Sequence, residues 1–246
     1  MITRLSTNIL HNHAENIFNF VTISPKSWMH KICDLCLQYD LPHQSTILTS
    51  PPSKEMFKNL VKKHVTDYWE QKLRIEAAPL TSLEFFLPQF MSLSSTHPIW
   101  TTAASSPTKT VMATEQARLL SGRYLTEALC SNWSSNHQGL CKLSPTCTSI
   151  EDVHHLMNCP ALSNTRDKLH AFTRNYCVDH PLVADLVQHF YNKKCRLFTH
   201  FLLDCSTLPE VILHVQQHGV VILEHLFNIT RLWCYCIHRD RLKILG

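Results

Sequence analysis

Three cysteines and a histidine fall within nineteen residues, as Cys141-KLSPT-Cys147-TSIEDVH-His155-LMN-Cys159, with Pro160 next. No other stretch constrains folding as strongly, because four ligands meeting at one ion tie two short segments into one knot. Thiolate and imidazole are the donors zinc prefers, and structural zinc sites are closed by four of them. Cys141 and Cys147 read as one short knuckle, although five residues separate them where two to four are usual. The second pair belongs to a segment that reads as helix, starting near Ser149, Glu151 and Asp152. On a helix His155 and Cys159 stand at i and i+4 and share a face. The expected ligands are therefore Cys141, Cys147, His155 and Cys159, with His154 as the alternative histidine and Zn2+ as the cofactor. The competing reading is a set of core cysteines beside a surface histidine pair.

The rest of the composition narrows the class. Only four glycines occur, which argues against folds built on glycine-rich phosphate loops. The chain is 44% hydrophobic and 17% charged, a globular balance. A net charge of +4 permits nucleic acid as a partner without demanding it. Eleven cysteines is an odd count for a disulfide framework, and the first residues show no apolar leader. The expected setting is reducing and intracellular, nucleus or cytoplasm. The most apolar run, Gly219 to Ile237, carries Glu224, His225 and Arg231, so it reads as a buried helix and no membrane span is expected.

The remaining cysteines and histidines read as packing. Cys33 and Cys36 match Cys-x-x-Cys but lie in an amphipathic helical run, KICDLCLQY, far from the strand context of a redox motif. Cys234 and Cys236 point to nearly opposite sides of a helix. His11-Asn12-His13 lacks the setting of a nuclease motif.

Periodicity predicts helices over most of the chain. Residues 53–76 place Phe57, Leu60, Val61, Val65, Tyr68 and Leu73 at helical spacing, with Lys54, Lys58 and Lys62 on a solvated face. Residues 80–86 read as a short helix, followed by a Ser/Thr/Pro-rich connection. Ser106 and Pro107 open a helix that stops at Gly122. Helices follow at 161–176, 181–193, 196–203, from Thr207 and Pro209 to about Gln217, and from Gly219 to about Arg241. A small hairpin is expected around Cys141 to Cys147. The fold class is mainly α, an irregular helical assembly with a small CCHC zinc-knuckle-like module. The expected division is a helical region at 1–100, the knuckle module with flanking helices at 101–176 and a C-terminal helical region at 177–246.

The cluster and its flanks resemble the C-terminal part of the reverse-transcriptase polyprotein of animal non-LTR (LINE-type) retrotransposons. The matching residues are QARLLSGRYLTEALCSNWS (Gln116 to Ser134), then Cys141 and Cys147, then EDVHHLMNCPALSNTR (Glu151 to Arg166). SWMHKICDLCLQYDLPH, DYWEQKLRIEA, HPIWTTA, LLDCSTLPEVI and LFNITRLWCYCIHRDRLKILG also look like such segments, so the resemblance covers nearly the whole chain. The family spaces its histidine and last cysteine by four residues. That spacing falls on His154 here, while the position after Glu151-Asp152-Val153-x is His155.

The resemblance implies a zinc-knuckle-like region that helps hold element RNA or target DNA beside the polymerase part of the same polyprotein. It does not imply an enzyme: nucleotidyl transfer needs paired metal-binding carboxylates, and the chain has no Asp-Asp pair. No endonuclease site is recognisable either. The chain reads as a fragment of a longer frame. Arg118, Arg123, Tyr124, Trp133 and Lys142 are the candidate nucleic-acid contacts, since aromatics stack on unpaired bases and basic side chains meet phosphates, with core packing as the competing reading for Tyr124 and Trp133. The alternative is a non-catalytic helical module, stapled by zinc or degenerate, that packs on the polymerase.

Overall fold

The structure is a computed structural model that describes residues 28–80, 83–90, 92–93, 95–192 and 196–246. His11-Asn12-His13 and residues 81 and 82 of the expected short helix lie outside the described residues. Contacts divide the chain into two compact units, Met1–Ile75 and Glu76–Gly246.

In the first unit the described helices are α1 (Trp28–Gln38), α2 (Gln44–Thr49) and α3 (Lys54–Ala77), the last crossing the division. The apolar stripe of α3 from Phe57 to Leu73 is half-buried, while Lys54, Lys58 and Lys62 are exposed, as the i, i+4 pattern requires. Tyr39 meets Tyr68 edge to face at 5.0 Å, and the Tyr39 carbonyl bonds His64 Nδ1 at 3.1 Å, which ties the end of α1 to the middle of α3. Cys36 is buried and Cys33 half-buried, the environment of packing thiols.

The second unit contains α4 (Pro98–Thr101), α5 (Pro107–Leu120), α6 (Glu127–Ser131), α7 (Val153–Asn158), α8 (Ser163–Asp179), α9 (Pro181–Asn192), α10 (Arg196–Asp204), α11 (Pro209–His218) and α12 (Val221–Leu245). Among the described residues there is no strand, only one antiparallel bridge between Leu140 and Ile150. Ser106 caps α5, its hydroxyl accepting from the Lys109 amide, with Pro107 in the first turn. Gly219, at φ 86°, takes the left-handed turn that separates α11 from α12, a conformation a Cβ would strain.

Helix α12 is the axis of this unit. It buries Ile222, Leu226, Phe227, Ile229, Trp233 and Ile237, and packs against α5, α7, α8, α9, α10 and α11. Hydrogen bonds from buried side chains add to this apolar packing and tie α12 to its neighbours. The Gln116 amide of α5 donates to Leu202 O of α10 at 2.8 Å and to Thr230 Oγ1 of α12 at 3.0 Å. The Trp233 indole donates to Thr173 Oγ1 of α8 at 3.0 Å. One hydrophobic core extends from Phe85 to Ile237, so residues 101–176 and 177–246 share it. No helix among the described residues is long and apolar enough to cross a membrane.

Candidate metal centre

The knuckle begins at Gly139, whose φ of 74° and the Ser131 hydroxyl at 3.3 Å from a would-be Cβ both favour glycine. Two backbone hydrogen bonds then close a narrow ladder: Cys141 N to Ser149 O and Glu151 N to Gly139 O, each 2.9 Å. The five residues between Cys141 and Cys147 form the loop at its tip. There Cys147 N donates to Ser144 O at 3.0 Å, so the long spacing is taken up by a turn and both thiols return to one side. This is the expected hairpin reduced to a single bridge.

The second pair comes from α7. Asp152 is its N-cap and accepts from the His155 amide at 2.6 Å. The expected helix is shorter at its far end: Cys159 lies beyond it, at φ −55° and ψ 128°, and Pro160 opens a separate 3₁₀ turn, Pro160–Leu162. Proline disfavours the helical conformation in the residue before it, which accounts for the early stop. The Cys159 carbonyl then accepts from Arg166 Nη1.

The ligand atoms of Cys141, Cys147, His155 and Cys159 all lie within 4.8 Å of one another, with Cys141 and Cys159 buried. Cys141 Sγ and Cys159 Sγ are 3.7 Å apart, and Cys147 Sγ is 3.5 Å from His155 Nε2. A tetrahedron with Zn–S of about 2.3 Å and Zn–N of about 2.05 Å has edges of roughly 3.8 Å for S···S and 3.6 Å for S···N. The residues present therefore fit the ion in donor type and in these two separations. His154 faces elsewhere, its Nδ1 bonded to Thr199 Oγ1 at 2.9 Å. Burial pushes the Cys141 thiol up to about 12, whereas a backbone hydrogen bond from Ser149 draws the Cys147 thiol below its ordinary value. A four-ligand Cys₃His set can hold a metal ion such as zinc, and its closed shell suits a structural role rather than water activation.

Two carboxylates anchor the knuckle. Glu127 accepts from Lys142 Nζ and His137 Nδ1, each at 2.8 Å; burial opposes its ionisation, but these partners outweigh it and hold the carboxyl below the ordinary range. Glu151 is fully buried against Arg241 of α12. Sequence reasoning missed both, reading Glu151 as part of a helix start. For Glu151, a buried partner 90 residues away leaves no local signal.

The candidate nucleic-acid residues divide. Trp133 is 68% exposed. Arg123 is exposed and carries no ion pair among the described residues. Arg118 is exposed and pairs with Glu115 at 2.7 Å, and Lys142 is exposed but held by Glu127. Tyr124 is the exception: it is 5% exposed, its hydroxyl bonds His238 Nδ1 at 2.9 Å, and Arg241 lies over its ring. It is a core residue and its face is not available to a base. No family model, curated protein or solved structure matches this chain.

Proposed function

We propose that residues 139–159 form a structural zinc centre, and that this module is a nucleic-acid-binding accessory region of the kind found C-terminal to the polymerase in non-LTR retrotransposon reverse transcriptases. The observation that carries the metal reading is the Cys₃His group itself, whose four ligand atoms lie within 4.8 Å of one another, with the Cys141–Cys159 and Cys147–His155 separations close to the edges of a zinc tetrahedron. When bound, zinc would supply cross-linking rather than chemistry, joining the knuckle to α7. Cys141 and Cys159 would hold it from the buried side, Cys147 and His155 from the outer side.

The nucleic-acid reading rests on the sequence resemblance and on Trp133 and Arg123, which are exposed, Arg123 carrying no ion pair among the described residues. A base can stack on the first and a phosphate can meet the second. Partners in this reading are RNA or DNA and the polymerase part of the same polyprotein, with an intracellular location and no catalytic residues. The test is direct. One zinc per chain, together with RNA or single-stranded DNA binding that weakens steeply with salt, is the expected result. A zinc-free protein, or binding with a flat salt response, would overturn it.

A second reading has its own support. The burial of Tyr124 and the Glu151–Arg241 pair tie the knuckle to the helical body, as expected of a module that packs on a polymerase without touching nucleic acid. Replacing Arg123 and Trp133 together by alanine separates the two, since only the first reading expects lost affinity from a folded protein.

A further inference from the structure

Helix α3 carries Lys54, Lys58 and Lys62 at i, i+4 and i+8, all three exposed. At 1.5 Å per residue they form a line with one lysine roughly every 6 Å, similar to the separation of successive phosphates along an extended strand. None of the three makes an ion pair or hydrogen bond among the described residues, and Glu55, within one turn of Lys58, is not paired with it. Farther along the same face stands Trp69, 41% exposed, with the Lys72 ammonium 4.9 Å from the centre of its ring.

This line is unfavourable for the free helix. Lys54 with Lys58 and Lys58 with Lys62 are like-charge i, i+4 pairs, which destabilise a helix. Lys54 also stands in the first turn, where the helix end is already positive. A face that meets only water mixes the two signs, and α3 does so in its second half, where Arg74 pairs with Glu70 at 3.6 Å. The first half departs from that pattern in a way that a bound polyanion would relieve.

We propose that this face of α3 tracks the phosphate backbone of a single nucleic-acid strand, a contact in the first unit that does not depend on the metal centre in the second. The even spacing of the lysines along one line suits a chain of phosphates. Trp69 adds an aromatic surface on the same face, and cations that follow a backbone beside an aromatic residue are the combination that single-strand grooves use. An acidic protein fits less well, because lysine is depleted in protein interfaces and no exposed apolar side chain stands between Lys54 and Lys62 on this face to anchor one. A membrane surface would need the apolar side of α3, which is engaged by α1: Tyr68 meets Tyr39 edge to face, and His64 is bonded to the Tyr39 carbonyl.

The experiment uses the full chain and fluorescence anisotropy with a short oligouridine between about 0.1 and 1 M salt. Lys54→Gln, Lys58→Gln and Lys62→Gln together remove three phosphate contacts, each worth about 0.7 in the log–log salt slope of a single strand. The expected result is a slope shallower by about 2, and so about hundredfold weaker binding at 0.1 M salt, with the two proteins converging toward 1 M. Glutamine is a comparable helix former, so far-ultraviolet circular dichroism should be unchanged. Arginine at the same three positions should keep the wild-type slope. Lys63→Gln with Lys168→Gln and Arg174→Gln removes the same charge from other exposed positions and should change the slope by less than about 1. An equal loss in that control would mean that only net charge matters, and would overturn the proposal. An unchanged slope in the Lys54, Lys58 and Lys62 variant also overturns it, and leaves the metal-centre reading standing if Arg123→Ala with Trp133→Ala weakens binding. Loss of binding to phosphatidylserine vesicles in the same lysine variant, with oligouridine binding intact, would assign the line to a membrane surface instead. No binding of oligouridine by the wild-type chain overturns both this contact and the nucleic-acid reading above.

Discussion

Arg241 in the last turns of α12 reaches Glu151 at the foot of the knuckle, with Nε at 3.1 Å and Nη2 at 2.5 Å from the same carboxylate oxygen. Arg241 Nη2 also donates to Leu125 O at 3.0 Å, and the Glu127 amide donates to that Glu151 oxygen at 3.3 Å. The pair thus joins α6, the knuckle and α12 at one buried point.

Breaking it from one side should be expensive. Glu151→Ala leaves the Arg241 guanidinium buried without its carboxylate, a change that typically costs about 3–5 kcal/mol. The second oxygen of Glu151 has no hydrogen-bond partner among the described residues, so the pair is incompletely compensated. Replacing both members, Glu151→Leu with Arg241→Met, should recover most of the loss. Urea unfolding of the three proteins measures this, and a single-variant loss under about 1 kcal/mol would contradict the buried-pair account.

The histidine assignment makes its own prediction. His155→Ala and Cys147→Ala should each abolish zinc binding, while His154→Ala should retain one zinc per chain, because His154 is engaged with Thr199. Metal analysis of purified variants decides it. Loss of zinc in His154→Ala with retention in His155→Ala would reverse the roles.

Chelation should act locally before it acts globally. In the zinc reading four side chains on one ion would hold the knuckle, whereas α12 is held by the apolar core. Removing zinc should expose the amides of Cys141 and Glu151 to hydrogen exchange while those of Phe227 to Ile237 stay protected. Simultaneous loss of protection in both regions would mean that the knuckle and the core open as one unit.

Acid should destabilise the second unit in two stages. Burial lowers the histidines His170, His200 and His238 below their ordinary value, so the unfolded chain takes up protons that the fold resists. Stability therefore falls as pH drops from about 7 toward 5. Asp204 follows at lower pH. Burial alone would raise its carboxyl, but the bonds from His97 and Ser206 prevail and hold it below its ordinary value. Its contribution is present above about pH 4 and is lost as pH falls through the lower folded value. Urea midpoints across this range should show both stages, and Asp204→Asn should flatten the second. A midpoint unchanged between about pH 7 and 5 would rule out the histidine contribution.

Local features were legible in the sequence. The Ser106 cap, the lysine face of α3, the break at Gly219 and the grouping of Cys141, Cys147, His155 and Cys159 all depend on residues within one or two turns of each other. Tyr124 reads from sequence either as a base contact or as a core residue, and burial decides for the core; its position after an exposed arginine carries no information about His238 and Arg241, which cover it from a helix over a hundred residues away. Cys159 was placed in the right group through the wrong backbone. Its i, i+4 relation to His155 survives although the helix ends before it, because Pro160 turns the chain without carrying the thiol away.

The place of α12 in chain order has a consequence during synthesis. This helix supplies the surface on which α5, α8 and α10 close, yet it leaves the ribosome after all of them. At about 5–20 residues per second, α5 waits on the order of ten seconds for its partner. Until α12 emerges Leu119, and later Phe201 and Leu202, lack the helix their own helices pack against, and Glu151 at the foot of the knuckle has no Arg241 against it. A product cut short before Trp233 would keep its metal ligands and lose its core, and so would present itself to chaperones and proteases rather than to a partner.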